Sequence, residues 1–396
     1  MVRMLTTGTT TIATAVKHAD VDVISAYPIR PYTGVMNELA RMIADGELDA
    51  EYIVCDSEHT QFEIAKHAAA CGARVFTGSA GIGWAFAHEA LVVTPSDRVP
   101  VVAMVGNRAL DDPGNFGVEH TDVLVTRDLG WMMCWPENPQ EAYDLTLMGY
   151  KIAENPKVLL PYIVNCDGNF ITHVRFPVDL PDEELAKEFL PSTPPPRHNI
   201  LHPDRPLSIA PHVDYYWGAE IRRQMDQAMK NAIEVTRKVH EEFNKIFGRG
   251  GPPFVEEIYT EGADAVLMGV GGMAMPARAA LKQLRREGIK VGYVKLRRFR
   301  PFSTEDVVNA LRKFKVVGVL DMDFSFGSAH TGGIIFQEVR SALYDLPDRP
   351  KVVNYIIGLG GREITVDVMR SLAKEVNEIA KTGEVKQVVK WIGLRE

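Results

Sequence analysis

Positive charge is in short supply in this chain, and cysteine shorter still. Lysine and arginine total 44 against 52 aspartates and glutamates, a net charge of −8. A chain acidic on balance is a poor partner for nucleic acid or an anionic membrane surface, because both reward positive charge. The four cysteines (Cys55, Cys71, Cys134 and Cys166) lie far apart and form no C-x-x-C pair. That argues against a zinc site or an iron–sulfur cluster held by this chain alone. It argues equally against a disulfide framework. No run approaches the ~18 apolar residues that a membrane-spanning helix needs. The first 20 residues are broken by threonines and carry one arginine in place of an apolar stretch, so no secretory signal is visible. The expected location is a reducing cytoplasm.

What is present is an ordinary globular composition: 396 residues, 46% apolar and 24% charged. At ~150 residues per domain, two or three domains are expected. Residues 1–180 alternate helical and strand patterns. GTTTIATAVKHAD, TGVMNELARMIADGEL, SEHTQFEIAKHAAAC and ENPQEAYDLTLMGYKIAEN read as helices, and WAFAHEALVV as one more after Gly81-Ile-Gly83. VDVISAYP, EYIVC, ARVFTGS, VPVVAMVG and VLLPYIVNC read as strands. Near-continuous apolar strands alternating with helices predict an α/β domain with a mostly parallel sheet covered on both faces. Residues 181–206 are rich in proline and polar residues and predict an extended segment. Residues 214–248 predict one long helix ending at Gly248, so 181–260 is expected to be an extended and helical linker. A second α/β unit is expected over 261–396, with strands in ADAVLMG, VGYVKL, FKVVGVLD and VVNYIIGL.

Glycine turns follow several strands: Gly81-Ile-Gly83, Gly269-Val-Gly271-Gly272 and Gly358-Leu-Gly360-Gly361. None completes G-x-G-x-x-G in the right place or forms a P-loop. Each could offer backbone N–H groups to an anion, but close packing or a tight turn is the simpler account.

Two arginines attract attention. YPIRPYTG at 27–34 frames Arg30 between prolines just after a strand, and ligands of open parallel sheets sit beyond strand carboxyl ends. An arginine there can fork onto a carboxylate or phosphate, or it can be a surface residue on a rigid turn. VGNRALDDPGNFGVEHTD at 105–122 puts Arg108 at a second strand end, followed by Asp111 and Asp112. Arg108 can bind a ligand or simply pair with its own loop's aspartates. Glu58 falls in the first turn of its helix, where it would complement the helix dipole. His59 and His67 show neither H-E-x-x-H nor a clustered third ligand, so no metal is expected.

Taken together, YPI-x-P, the S-E-H helix start, the G-x-G turn followed by HE, and DLGW…ENPQEAYDL resemble the thiamine-diphosphate 2-oxoacid:ferredoxin oxidoreductases. The likeness is to the α chain of the pyruvate:ferredoxin type, and it runs on through FITH, the LHP at 201–203, VLDMDFSFGS and GLGGREIT. It implies a pyrimidine-binding parallel-sheet domain plus a transketolase C-terminal-like α/β domain. It implies thiamine diphosphate with its pyrimidine side here, and the diphosphate and Mg²⁺ on a partner β chain. [4Fe-4S] clusters would sit on partner chains, with ferredoxin as acceptor. NCDGN at 165–169 lacks the leading glycine of the family's diphosphate motif. By the same resemblance, Glu58 bonds the aminopyrimidine, beside Gly81 and Gly83. Arg108 meets the substrate carboxylate, and Tyr27 and the 27–34 loop contact substrate. Phe116 is expected on the substrate side, and Asp111 and Asp112 either counterbalance an arginine there or structure the DDPG turn.

One departure bears on the substrate. The usual loop reads YPITP, whereas this chain has Arg30 in place of the threonine. An unmatched buried arginine costs several kcal/mol. A second carboxylate would match it, and a close pair gains about 4 kcal/mol at an effective dielectric near 20. The pattern resembles the oxalate-splitting branch of the family, which needs no coenzyme A. Rival expectations are a coenzyme A-dependent pyruvate or other 2-oxoacid α subunit, and a non-catalytic scaffold chain. A nicotinamide dehydrogenase is disfavoured by its missing fingerprint.

Overall fold

The computed structural model describes residues 2–111, 114–209 and 212–395. Its first sheet has seven strands in the order Arg298–Arg300, Met132–Cys134, Tyr162–Asp167, Val102–Asn107, Val75–Ser79, Val23–Ala26, Glu51–Val54. All pair in parallel except Arg298–Arg300. Val102–Asn107 and Tyr162–Asp167 are buried at every position, as central strands with helices on both faces must be. The second sheet has six strands, in the order Val389–Trp391, Lys351–Ile356, Val316–Asp321, Ala265–Gly269, Val291–Leu296, Val255–Ile258, of which the last is antiparallel. A small third sheet pairs Val2–Thr6 with Phe176–Leu180.

The α/β reading and the parallel sheets match expectation. The helices expected at 8–20, 33–48 and 57–71 form as Gly8–His18, Thr33–Ala44 and Glu58–Ala70. The single helix expected after Gly81 is instead two short ones, Gly81–Phe86 and His88–Val93. The long helix runs from Gly218 to Phe247 and stops at Gly248, whose φ of 66° suits glycine.

The two α/β units interlock more than the sequence suggests. Val255–Ile258, inside the expected 181–260 linker, is an edge strand of the second sheet. Arg298–Arg300, inside the expected 261–396 unit, crosses over to pair with Met133 and Cys134 in the first sheet. One apolar core therefore spans both units, while a second lies on the other face of the first sheet. Phe62, Trp84, Trp131 and Trp135 of the first unit belong with Phe299 and the strands of the second. Phe62, Trp84 and Trp131 meet edge-on with centroids 5.4–6.1 Å apart, a geometry aromatic rings favour.

The proline-rich segment is tied down by a buried ion pair. Arg74 donates to Glu154 through Nε (2.6 Å) and Nη2 (2.8 Å), and also to the carbonyls of Ala19, Pro191 and Ser192. Arg74 is 2% exposed and Glu154 4%. Removing one partner of such a pair strands a buried charge, so Glu154→Ala is expected to cost about 3–5 kcal/mol. Urea unfolding of the purified protein should show an earlier transition; an unmoved one would contradict this account. Among the described residues no helix is long and apolar enough to cross a membrane.

Candidate active site

Strand ends of the first sheet deliver the site. Ser57 caps the helix Glu58–Ala70 by accepting from the Thr60 N–H at 3.2 Å, which fixes Glu58 as the first helical residue. Glu58 is 7% exposed, and its carboxylate has no hydrogen-bond or ionic partner among the described residues. Gly83 stands against it: a Cβ there would overlap the carboxylate and come within 2.6 Å of the Ile29 Cδ1. Glycine at this position is required by the close approach.

Two residues earlier, Gly81 faces the other way. A Cβ on Gly81 would lie 2.7 Å from the Arg108 Nε. The first turn of Gly81–Phe86 therefore forms a thin partition, with Glu58 on one side and Arg108 on the other.

Asp122 holds that partition in place. Its buried carboxylate accepts from the N–H groups of Gly81 (3.0 Å), Arg108 (3.1 Å) and Val123 (2.8 Å), and from the Asn107 amide (3.0 Å). Burial pushes its carboxyl up to about 6, against the pull of those donors. Sequence reading passed over Asp122, because its partners lie 14 and 41 residues away.

Arg108 is 5% exposed. Its Nη1 donates to the Arg30 carbonyl (3.1 Å) and its Nη2 to Asp111 (2.9 Å). Its guanidinium lies 5.0 Å from the Phe116 ring centroid. Its Nε is buried without a partner. The aspartate pairing open at the sequence level is thus made, by Asp111. Asp112 lies outside the described residues.

Arg30, Arg108 and Phe116 line one cavity of about 120 Å³, with Pro31, Gly168, Asn169 and His173. Arg30 is exposed in this chain, and its guanidinium has no partner among the described residues. The desolvation penalty that the sequence argument placed on it is therefore not imposed by this chain alone. Tyr27 is half-buried and does not line the cavity, and neither does Glu58. Sequence reasoning does not single out Gly168, Asn169 and His173, although they fall within NCDGN and FITH. Their signal was the carboxyl end of the strand Tyr162–Asp167, where ligands of parallel sheets collect.

Three N–H groups of the glycine turns are taken up by protein acceptors and are not free to cradle an anion. The Gly81 N–H goes to Asp122, that of Gly272 to Asp167 (2.7 Å), and that of Gly361 to the Val118 carbonyl (3.1 Å). Nor does His59 stand alone. His59, Glu63 and Glu89 bring one ligand atom each within 4.8 Å of one another, with His59 Nε2 2.6 Å from Glu89. Packing of separate helices makes this cluster, which spacing along the chain could not reveal. His67 stays outside it and bonds back to the Glu63 carbonyl at 2.7 Å.

Residues 14–241 match the family model described as pyruvate flavodoxin/ferredoxin oxidoreductase, thiamine diphosphate-binding. The chain belongs to the thiamine-diphosphate 2-oxoacid:ferredoxin oxidoreductases. Residues 263–369 match that family's pyruvate:ferredoxin oxidoreductase core domain II. Pyruvate synthase subunit PorA of Methanocaldococcus jannaschii is 41% identical over 98% of this chain and 97% of its own. Ketoisovalerate oxidoreductase subunit VorA of Pyrococcus abyssi is 37% identical over 100% of this chain and 98% of its own. Among solved structures, a 2-oxoglutarate:ferredoxin oxidoreductase from Magnetococcus marinus superposes with a TM-score of 0.70 at 18% identity. The match covers 94% of this chain and 65% of that one, a likeness of fold. A split-gene transketolase shares the fold more loosely, at a TM-score of 0.55 and 12% identity over 94% of this chain and 99% of that one. As a member of the 2-oxoacid:ferredoxin oxidoreductases, this chain is one subunit of an oxidoreductase that uses thiamine diphosphate, with iron–sulfur clusters on other subunits.

Glu58 suits the pyrimidine side of that cofactor. A buried carboxylate with unfilled acceptor positions can accept from the N–H groups of an aminopyrimidine.

Proposed function

We propose that this chain is the α-type subunit of a family member that oxidises oxalate to two CO2, passing two electrons through partner-chain clusters to ferredoxin. Coenzyme A takes no part. Oxalate carries two negative charges and leaves as two neutral CO2 molecules, so the two electrons released balance the change. The observation that carries the reading is the shared cavity: Arg30 and Arg108 both line about 120 Å³ of space. Two guanidinium groups match two carboxylates, and each can bind in a fork.

Thiamine diphosphate, when bound, supplies the nucleophilic carbon and the electron sink for decarboxylation. Glu58 would hold its aminopyrimidine and share a proton with the ring. Asp167, the residue closest to a diphosphate motif, has both oxygens engaged, by His120 Nε2 at 2.7 Å and the Gly272 N–H at 2.7 Å. This supports placing the diphosphate and Mg²⁺ on a partner β chain.

The protein side of catalysis is charge handling. Arg108 and Arg30 hold the substrate carboxylates, offset their mutual repulsion and favour attack on a carbon that ionisation makes a poor electrophile. Phe116 sets its ring over the Arg108 guanidinium. Asp111 neutralises Arg108 until substrate displaces it, so that the cavity does not hold two unmatched cations.

A second reading has its own support. With Asp111 paired to Arg108, the cavity carries one net positive charge, which suits a 2-oxoacid monoanion such as pyruvate. The names of the relatives point the same way. One assay separates the two readings: acceptor reduction by the purified complex with oxalate and no coenzyme A, against pyruvate with coenzyme A. Oxalate-driven, coenzyme A-free reduction is expected. Turnover of pyruvate alone, dependent on coenzyme A, would overturn the oxalate reading.

A further inference from the structure

The second α/β unit ends its strands with glycine turns at the edge where parallel sheets bind ligands. Here that edge is occupied by the first unit's own loop. The loop leaves the strand Val102–Asn107 at Arg108 and closes on itself where the Ala109 N–H donates to the Gly117 carbonyl at 2.9 Å. Its far side then rests on the second unit. Asn115 accepts from the Gly117 N–H through Oδ1 (2.7 Å) and donates through Nδ2 to the Gly360 carbonyl (3.2 Å). The Gly361 N–H donates to the Val118 carbonyl at 3.1 Å, and the His120 N–H to the Met322 carbonyl at 2.9 Å.

The fit is too close for side chains. A Cβ on Gly117 would overlap the Gly360 carbonyl, and one on Gly361 would lie 2.6 Å from the Gly117 Cα. The turn that presents these groups has φ of +76° at Gly358, +67° at Gly360 and +81° at Gly361, values that favour glycine. The same loop carries Arg108, Asp111 and Phe116. Asp122 fixes its near end through the Arg108 N–H, and the 358–361 turn fixes its far end.

We propose that the 358–361 turn is the seat of the substrate loop, and that Asn115 is a positioning residue setting how far Asp111 and Phe116 stand from Arg108. This gives the second unit a part in substrate affinity. It rests on the reading that the loop contacts substrate. Asn115 touches neither substrate nor cofactor in this account and acts through its neighbours.

The test is a double-substitution cycle on the assembled complex. Loss of one net hydrogen bond, about 1 kcal/mol, should raise KM in Asn115→Ala by roughly fivefold while kcat stays within about twofold. Gly360→Ala sets a methyl against the Asn115 amide and should raise KM similarly. In the Asn115→Ala background it should add less than it does alone, because the side chain it strikes is gone and only the backbone strain of a side chain at φ +67° remains. An unchanged KM in Asn115→Ala, or strictly additive effects, would overturn the proposal. Asn115→Ala decides alone should Gly360→Ala not assemble. Readings with oxalate, and with pyruvate plus coenzyme A, keep the two questions apart. Which donor is turned over tests the substrate, and the KM shift with that donor tests the seat.

Discussion

Glu58→Gln should all but abolish turnover while leaving the complex assembled. Glutamine keeps the size of glutamate and one acceptor oxygen, so the helix start capped by Ser57 and the contact with Gly83 survive. What it loses is the ability to share a proton. Proton transfer by a positioned side chain contributes typically 10²–10⁴-fold, and a fall of about that size is expected in kcat. Glu58 has no other partner among the described residues to preserve, so the substitution breaks no ion pair and costs little stability. The measurements are acceptor reduction, size-exclusion elution of the complex and its content of bound thiamine diphosphate. A Gln variant that turns over at the wild-type rate would remove Glu58 from the chemistry, and with it the non-catalytic reading would regain ground. Loss of the complex itself would instead show that the residue is structural.

How legible the site was depended on how local its contacts are. Glu58 could be placed from sequence because an N-cap serine and a helix start are neighbours along the chain. The pairing of Arg108 with Asp111 was visible as an alternative because the two are three residues apart. His173 and Asn169 share a cavity with Arg30 from more than 130 positions away, and no spacing rule reaches that far. The same limit applies to the fold. Strands buried on both faces declare themselves by continuous apolar runs, as Val102–Asn107 and Val316–Asp321 do, but Met132–Cys134, buried throughout and only three residues long, gives no such run to read. Nor does Arg298–Arg300, since its three residues carry two arginines and take their structure from Cys134 and Met133 across the unit boundary. Val2–Thr6 is exposed along most of its length and pairs with a strand more than 170 residues later. Exposure, too, was beyond the sequence: the burial assumed for Arg30 holds for Arg108 but not for Arg30 in this chain.

That difference sharpens the other large expected effect. Arg30→Thr restores the residue usual in the family loop. Because Arg30 is exposed and unpartnered here, its removal leaves no buried charge in this chain and should not disturb folding. Any effect must then come from the bound substrate. With oxalate, the second carboxylate would lose its guanidinium and be left unmatched in the cavity. Truncating one partner of a hydrogen-bonded charge pair costs about 2–5 kcal/mol, roughly 30- to 5,000-fold in kcat/KM. With pyruvate, the same substitution replaces a charge facing a methyl group by a small side chain, so activity should hold or rise. The ratio of the two specificities is therefore the quantity to measure, since changes in assembly or cofactor content cancel in it. A swing towards pyruvate of about 30-fold or more is what a two-guanidinium site requires (about 2 kcal/mol at 1.36 per decade). Equal losses with both substrates would mean that Arg30 serves the loop and not the second carboxylate. Asp111→Asn gives the complementary arm. Freed from its carboxylate partner, Arg108 should bind either anion more tightly, and a dianion most, so KM for oxalate should fall further than KM for pyruvate.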